Sequence, residues 1–216
     1  MSREVHAVVL RAAEGVVPSA DSPNELFTLD GKRKYLTSEE RDRFLASANS
    51  HERGEVRTLC LVMAYTGCRI SEALELTADK IDLSAKSIVF RTLKQRERTA
   101  FRAVPVPDSV LDALDLVHRI RKAQKSKNSG KKDKLWNWGR TQATKHICNM
   151  MDKAGISGPH ATPKGLRHGF GVKAATDTRN PRLVQKWLGH RHLETTTIYM
   201  DAVGAEEREL AARMWV

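Results

Sequence analysis

Apolar residues recur through most of this chain at the spacing of amphipathic helices. The first such segment opens after Thr37, which forms a capping-box pattern with Glu40. A densely apolar stretch follows at 57–65. Gly67 predicts its end, because glycine readily takes the left-handed conformation found after helices. The next helix is predicted to begin at about Ile70.

Alternating apolar residues with many β-branched side chains mark the middle of the chain and predict short strands at 81–83, 87–90 and 103–106. Helical spacing then returns over 108–121, 141–154, 163–175, 182–188 and 203–214, with a short helix from about residue 194. The sequence therefore predicts a mainly α fold with a small antiparallel β-sheet. Residues 1–35 lack a long period, so we expect a loosely ordered lead-in to a domain over 36–216.

The net positive charge of the chain indicates which class of partner it binds. The chain carries 37 Lys and Arg against 26 Asp and Glu, a formal net charge of +11. Residues 91–134 hold 13 of these cations against 5 acidic residues, a concentration typical of a surface that binds a phosphate backbone. Within it, 122–134 also fits a merely solvated loop. No apolar run reaches the roughly 18 residues of a membrane span and no secretory pattern opens the chain, so we expect a cytoplasmic protein with nucleic acid, not a membrane, as its partner.

Candidate catalytic groups gather near the C-terminal end. Arg167 and His168 open one apolar-periodic segment, His190 closes another, and Tyr199 follows nine residues later. A guanidinium fits two oxygens of a phosphate at once, and a phenol can form a covalent intermediate. These groups suggest a site for an anionic substrate.

Cofactor chemistry finds no support in the sequence. The three cysteines form neither a disulfide framework nor a zinc pattern, and a glycine-rich phosphate loop of the Walker type is absent. His190 and His192 lack a further ligand at metal-binding spacing. The prediction is therefore no metal and no cofactor.

In this order and spacing, Leu166-Arg167-His168, Leu188-Gly189-His190 and Tyr199 resemble the C-terminal catalytic motifs of the tyrosine recombinases, the phage integrase family. Upstream, the stretch from Thr66 to Glu72 is similar to the family's Thr-Gly-x-Arg-x-Ser-Glu box. Taken alone, Arg69 in this box would be interpreted as a surface arginine. The resemblance covers about 35–205 and implies the tyrosine-recombinase catalytic-domain fold, in a minimal form without the N-terminal DNA-clamping domain of many members.

The resemblance implies a site-specific recombinase in which Tyr199 attacks DNA and forms a 3′-phosphotyrosyl bond. The implied phosphate ligands are Arg69, Lys164, Arg167 and His190, the implied general acid is Lys94 with Arg96 as the alternative, and the supporting residues are Glu72 and His168. Predicted DNA contacts are Arg91, Arg96, Arg98 and Arg102. Lys164 stands where the family usually has histidine. Because lysine accepts protons poorly unless its pKa is lowered, the base that activates Tyr199 stays open.

The family resemblance also implies double-stranded DNA as the partner, bound by a homotetramer on two paired sites, with a monomer or weak dimer free in solution. The helix predicted at 203–214 docks either on a neighbouring protomer or on its own domain. Two alternative functions remain at this point. One is a DNA-binding protein that keeps the integrase fold without turnover, and the other is a type IB topoisomerase, which shares the same chemistry.

Overall fold

The computed structural model describes residues 26–92, 100–126 and 133–200, with residues 212, 214 and 215. Over these ranges the protein is mainly helical with a small antiparallel sheet, which confirms the predicted fold class. The predicted general acid Lys94, the predicted DNA contacts Arg96 and Arg98, and most of the helix predicted at 203–214 lie outside the described residues.

The described helices are α1 (Ser38–Asn49), α2 (Gly54–Thr66), α3 (Ile70–Ala73), α4 (Asp108–His118), α5 (Ile120–Lys125), α6 (Arg140–Lys153), α7 (Pro163–Thr178), α8 (Pro181–Leu188) and α9 (Glu194–Thr197). Strands β1 (Ile81–Asp82), β2 (Ser87–Thr92) and β3 (Ala100–Pro105) form one antiparallel sheet in sequential order. None of these helices has the length and apolar character that crossing a bilayer requires.

Helix α2 lies at the centre of the core, because apolar side chains cover nearly its whole surface. It packs against α1, α4 and α7. The capping box predicted at α1 is present, since Thr37 Oγ1 accepts from Glu40 N and the Glu40 carboxylate accepts from Thr37 N. Gly67 ends α2 in the left-handed conformation at φ 59°, as predicted. The end of α2 at Gly67 fixes where the chain leaves the core toward Arg69.

The helix predicted over 108–121 is divided in two. Arg119 adopts the left-handed conformation at φ 53° between α4 and α5. The Asp115 carboxylate then accepts from the backbone N–H of Arg121 at 2.8 Å, which satisfies a free amide at the start of α5. Apolar spacing continues across this break, so periodicity alone did not reveal it.

Of the lead-in predicted over 1–35, residues 1–25 lie outside the described residues, and 26–35 contact the domain. Phe27 and Arg33 form an antiparallel bridge, and Arg33 pairs with the Glu40 carboxylate of α1. Leu26 is buried in the same apolar cluster as Tyr199. Apolar contact and ion pairing therefore hold this short segment against the domain, although its sequence is too short to show a period.

Candidate active site

Three segments that are distant in the sequence meet at the guanidinium of Arg167. Its Nη1 donates to Gly67 O at 2.6 Å and its Nη2 donates to Leu188 O at 2.8 Å. Burial and the nearby charge of Arg69 lower the pKa of Arg167 to about 10, so the group remains charged at neutral pH. Gly67 precedes Arg69 and Leu188 precedes His190, so Arg167 holds both segments at one place.

Arg69 is oriented by a buried carboxylate. Its Nη1 donates to Glu72 Oε1 at 2.9 Å and its backbone N donates to Glu72 Oε2 at 2.8 Å. Burial alone would raise the pKa of Glu72, but the hydrogen bonds and charges of Arg102 and Arg69 outweigh it and hold that pKa below the usual value. The Arg69 side chain keeps 27% exposure, whereas the Glu72 side chain is fully buried. The arginine therefore still faces solvent, where an anion could reach it.

Arg102 corrects a prediction. The sequence placed it among the DNA contacts, yet its side chain is only 4% exposed and forms an ion pair with Glu72. Along β3, Phe101 is exposed, Arg102 is buried and Val104 is buried, so strand alternation puts Arg102 on the inward face. That alternation was readable in the sequence. The prediction instead followed the high local charge and placed Arg102 on the surface that faces DNA.

Tyr199 is almost fully enclosed, with 2% exposure. Its Oη lies 2.9 Å from His168 Nδ1, and its ring stacks on His190 with centroids 6.0 Å apart and planes at 15°. Burial raises the pKa of Tyr199 to about 12, although Arg167 and Arg69 act to lower it. The structure thus gathers Arg69, Arg167, His190 and Tyr199 at one site.

The two histidines of this site are neutral at neutral pH. Burial, followed by the charges of Lys164 and Arg167, lowers the pKa of His168 to about 4. Burial, followed by Arg167 and Arg69, lowers the pKa of His190 to about 3. A neutral imidazole can still donate one N–H to an anion, and it can accept a proton when negative charge arrives beside it.

Of the other predicted residues, Lys164 and Arg91 are exposed, whereas Lys94, Arg96 and Arg98 lie outside the described residues. Lys164 is exposed on the first turn of α7. Arg91 is exposed on β2, where a DNA backbone could reach it. His168 was assigned to a supporting role because it follows Arg167 directly, yet it contacts the Tyr199 oxygen.

Sequence patterns gave no sign of several residues around the site. Thr196 is fully buried, and its Oγ1 lies 3.0 Å from His190 Nδ1, which fixes the ring. A surface cavity of about 240 Å³ opens beside His190, lined by Phe101, Arg102, Arg182, Gln185, Lys186, Gly189 and His190. The cationic residues Arg182 and Lys186 in this lining mark where a phosphate backbone could approach.

The phage integrase family matches residues 34–205, so this chain belongs to that family. The tyrosine recombinase XerA of Thermococcus kodakarensis is 30% identical over 172 residues, covering 77% of this chain and 57% of XerA. The type 1 fimbriae regulatory protein FimE of Escherichia coli is 30% identical over 176 residues, covering 78% of this chain and 85% of FimE. The chain thus spans little more than half the length of XerA.

Solved structures agree on the fold. The crystal structure of XerA recombinase superposes with a TM-score of 0.66 at 26% identity, covering 83% of this chain and 64% of that one. The post-cleavage complex of XerH with palindromic difH substrate gives a TM-score of 0.71 at 24% identity, covering 84% and 53%. The predicted family and catalytic-domain fold are therefore confirmed.

Proposed function

We propose that this chain is the catalytic domain of a site-specific DNA recombinase that cuts and rejoins duplex DNA through a 3′-phosphotyrosyl intermediate. The observation that carries this proposal is the convergence of Arg69, Arg167 and His190 on Tyr199. The names of relatives support it, since XerA is a tyrosine recombinase and the Tn1549 integrase was solved with transposon right end DNA. The concentrated positive charge fits the same partner.

In the proposed reaction, Tyr199 Oη attacks the scissile phosphorus while the bond from phosphorus to the 5′ oxygen breaks. The 5′ oxygen takes a proton from Lys94, whose role rests on the sequence motif alone. Arg69, Arg167, His190 and Lys164 bind the non-bridging oxygens and balance their growing charge. Loss of one such donor typically lowers a rate by about 10²–10³. The phosphotyrosyl bond conserves the phosphodiester energy for religation.

The proton of Tyr199 has an acceptor within reach. In the tautomer with its proton on Nε2, the neutral ring of His168 accepts the hydrogen bond of Tyr199 through Nδ1. The lowered pKa keeps the ring unprotonated at neutral pH, and the negative charge of a bound phosphate would raise that pKa and make the ring a stronger base. We therefore assign the base to His168, in place of the histidine that Lys164 replaces.

We further propose that four copies act together on two paired DNA sites and that the free protein is a monomer or weak dimer. The support is the family membership. Sedimentation of the protein with and without a duplex carrying its site measures this directly. A tetramer that forms without DNA would contradict the second half of the proposal.

Covalent capture tests the function. The Tyr199→Phe variant is used to select a binding duplex from a randomised library, and this selected duplex is then nicked beside each candidate phosphate in turn. We expect the unsubstituted protein to form a denaturant-resistant adduct with one nicked duplex. Tyr199→Phe should bind the same duplex with similar affinity and form no adduct, because only the phenol oxygen is lost.

Other outcomes of this experiment identify the alternatives. Specific binding without any adduct in the unsubstituted protein would indicate an integrase-fold DNA-binding protein. In a separate assay, relaxation of supercoiled plasmid without paired sites would indicate a type IB topoisomerase. An adduct that persists in Tyr199→Phe would contradict the assignment of the nucleophile.

A further inference from the structure

Arg102 connects the two halves of the candidate active site. All three nitrogen positions of its guanidinium have partners. Nη1 and Nη2 donate to Glu72 Oε1 and Oε2 at 3.2 and 2.6 Å, and Nε donates to Trp187 O at 2.8 Å. This planar fork therefore spans from the segment that carries Arg69 to the segment that carries His190.

At the first of these ends, Arg102 fixes the carboxylate that orients Arg69. Glu72 Oε1 accepts from Arg69 Nη1, and Glu72 Oε2 accepts from Arg69 N. A carboxylate that binds two guanidinium groups cannot turn without breaking one pair of bonds. The direction of Arg69 thus depends on Arg102 through a single buried group.

At the other end, Arg102 supports the turn that presents His190. Trp187 O, which accepts from Arg102, belongs to the last turn of α8. Gly189 follows at φ 67°, and a Cβ at this glycine would lie 2.9 Å from Arg102 Nη1. The backbone of the turn therefore rests directly on the guanidinium, and only glycine allows this approach.

We propose that Arg102 is a positioning residue for the cleavage reaction, holding Arg69 and His190 in one geometry around the phosphate. The inference rests on the proposed function. Catalytic donors must be held within about 0.5 Å of their productive positions, and a buried ion pair adds little net stability compared with apolar packing. The role assigned to Arg102 is therefore geometric. Lysine would supply the charge without the fork that reaches both partners.

The first test is the Arg102→Lys variant on the nicked selected duplex. At saturating protein, where weaker binding does not limit the rate, we expect adduct formation to slow at least tenfold. Arg43→Lys is the control, because Arg43 Nε also donates to a backbone carbonyl, Ala154 O at 3.2 Å, and Arg43 lies on α1, outside the cationic stretch 91–134. The control should retain the unsubstituted rate. Equal rates for Arg102→Lys and the unsubstituted protein would overturn the proposal.

A chemical readout separates positioning from a general loss of folding. Duplexes with one neutral methylphosphonate, placed in turn at each central phosphate, reveal the position where neutralisation weakens binding most. If Arg102 acts through Arg69, Arg102→Lys should lose most of this preference for the charged phosphate, as Arg69→Lys should. A folding defect alone would lower the active fraction and leave the preference unchanged, and that result would overturn the proposal.

The binding preference does not require turnover, so the two proposals can fail separately. An unsubstituted protein without adduct rejects the proposed function, while its preference for the charged phosphate still decides the role of Arg102. Should Arg102→Lys be too unstable to purify, Arg102→Gln replaces it, since the amide keeps one donor for Glu72. Retention of the full preference in this second variant would equally overturn the inference.

Discussion

The hydrogen bond between His168 and Tyr199 connects the sequence neighbour of Arg167 with the oxygen that we propose as the nucleophile. Consecutive helix positions face different directions. Arg167 uses this difference to reach Gly67 and Leu188, while His168 turns toward Tyr199. Both roles fit on one turn of α7 because both side chains are buried between elements.

Replacing His168 by Phe keeps the ring volume and removes the acceptor. We expect adduct formation to slow by about 10²–10⁴, the range of general acid–base catalysis. The buried Tyr199 oxygen would also lose its partner, which costs about 1–3 kcal/mol of folding free energy. The measurements are single-turnover adduct formation and denaturant unfolding.

The matched control is His118→Phe, because His118 is also a partly buried histidine with a hydroxyl partner, Thr58 Oγ1 at 2.9 Å. It lies between α2 and α4, away from the candidate site. This variant should lose stability and keep its rate of cleavage. If His168→Phe also kept its rate, His168 would not be the base.

Among the elements, α7 depends on glycine for its close contacts. A Cβ at Gly165 would lie 1.9 Å from His160 O, and one at Gly169 would lie 2.8 Å from Leu36 O. At Gly171 the neighbour is the Tyr199 ring, 2.6 Å from the added atom. The Tyr199 ring therefore packs directly against the backbone of α7 at Gly171, where a Cβ would overlap it.

Gly171→Ala should separate stability from activity. Alanine favours a helix over glycine by about 1 kcal/mol, which offsets part of the steric conflict. The Tyr199 ring must still move, so we expect adduct formation to fall by at least tenfold with little change in melting temperature. Thr176→Ala, at an exposed position on the same helix, is the control and should behave as the unsubstituted protein. A normal rate for Gly171→Ala would show that the ring tolerates displacement.

Sequence patterns predicted the helix ends better than the side-chain directions within the site. The cap at Thr37 and the left-handed Gly67 depend on a few neighbouring residues, so local chemistry was sufficient to find them. Strand alternation could place Arg102 on the buried face, but its partner Glu72 is distant along the chain, as is Tyr199, the partner of His168. Periodicity contains no information about such partners, and only folding brings them together.

At the scale of the whole molecule, buried histidines link folding to pH. Burial lowers the pKa of His118 to about 4, of His168 to about 4 and of His190 to about 3. Below about pH 6.5 the unfolded chain binds protons at these positions and the folded protein does not. The free energy of unfolding therefore rises with pH across this interval, and acidification removes stability from pH 6.5 down toward pH 4.

We expect each of these histidines to contribute at most about 1.4 kcal/mol per pH unit below pH 6.5. Denaturant unfolding at pH 7.5, 6.5 and 5.5 measures this slope above the pH range of Glu40. Burial raises the pKa of Glu40, but the hydrogen bonds of Arg33 outweigh it and lower the pKa from 4.5 to about 2, so the contribution of Glu40 is lost as the pH falls below about 4.5. His118→Phe should reduce the change in unfolding free energy per pH unit by the contribution of one histidine. A flat profile would contradict the burial of neutral rings.

Bound DNA should weaken this pH dependence. Burial is the main cause of the low pKa of His190, and a phosphate would cancel part of the second cause, the positive charge of Arg167 and Arg69. Protonated His190 would then be tolerated in the complex, so DNA binding below pH 6.5 should be accompanied by proton uptake. Calorimetry of the selected duplex in two buffers of different ionisation enthalpy measures that uptake. His190→Asn should abolish the part that belongs to the candidate site, whereas His118→Phe should leave it intact, because His118 lies elsewhere in the fold.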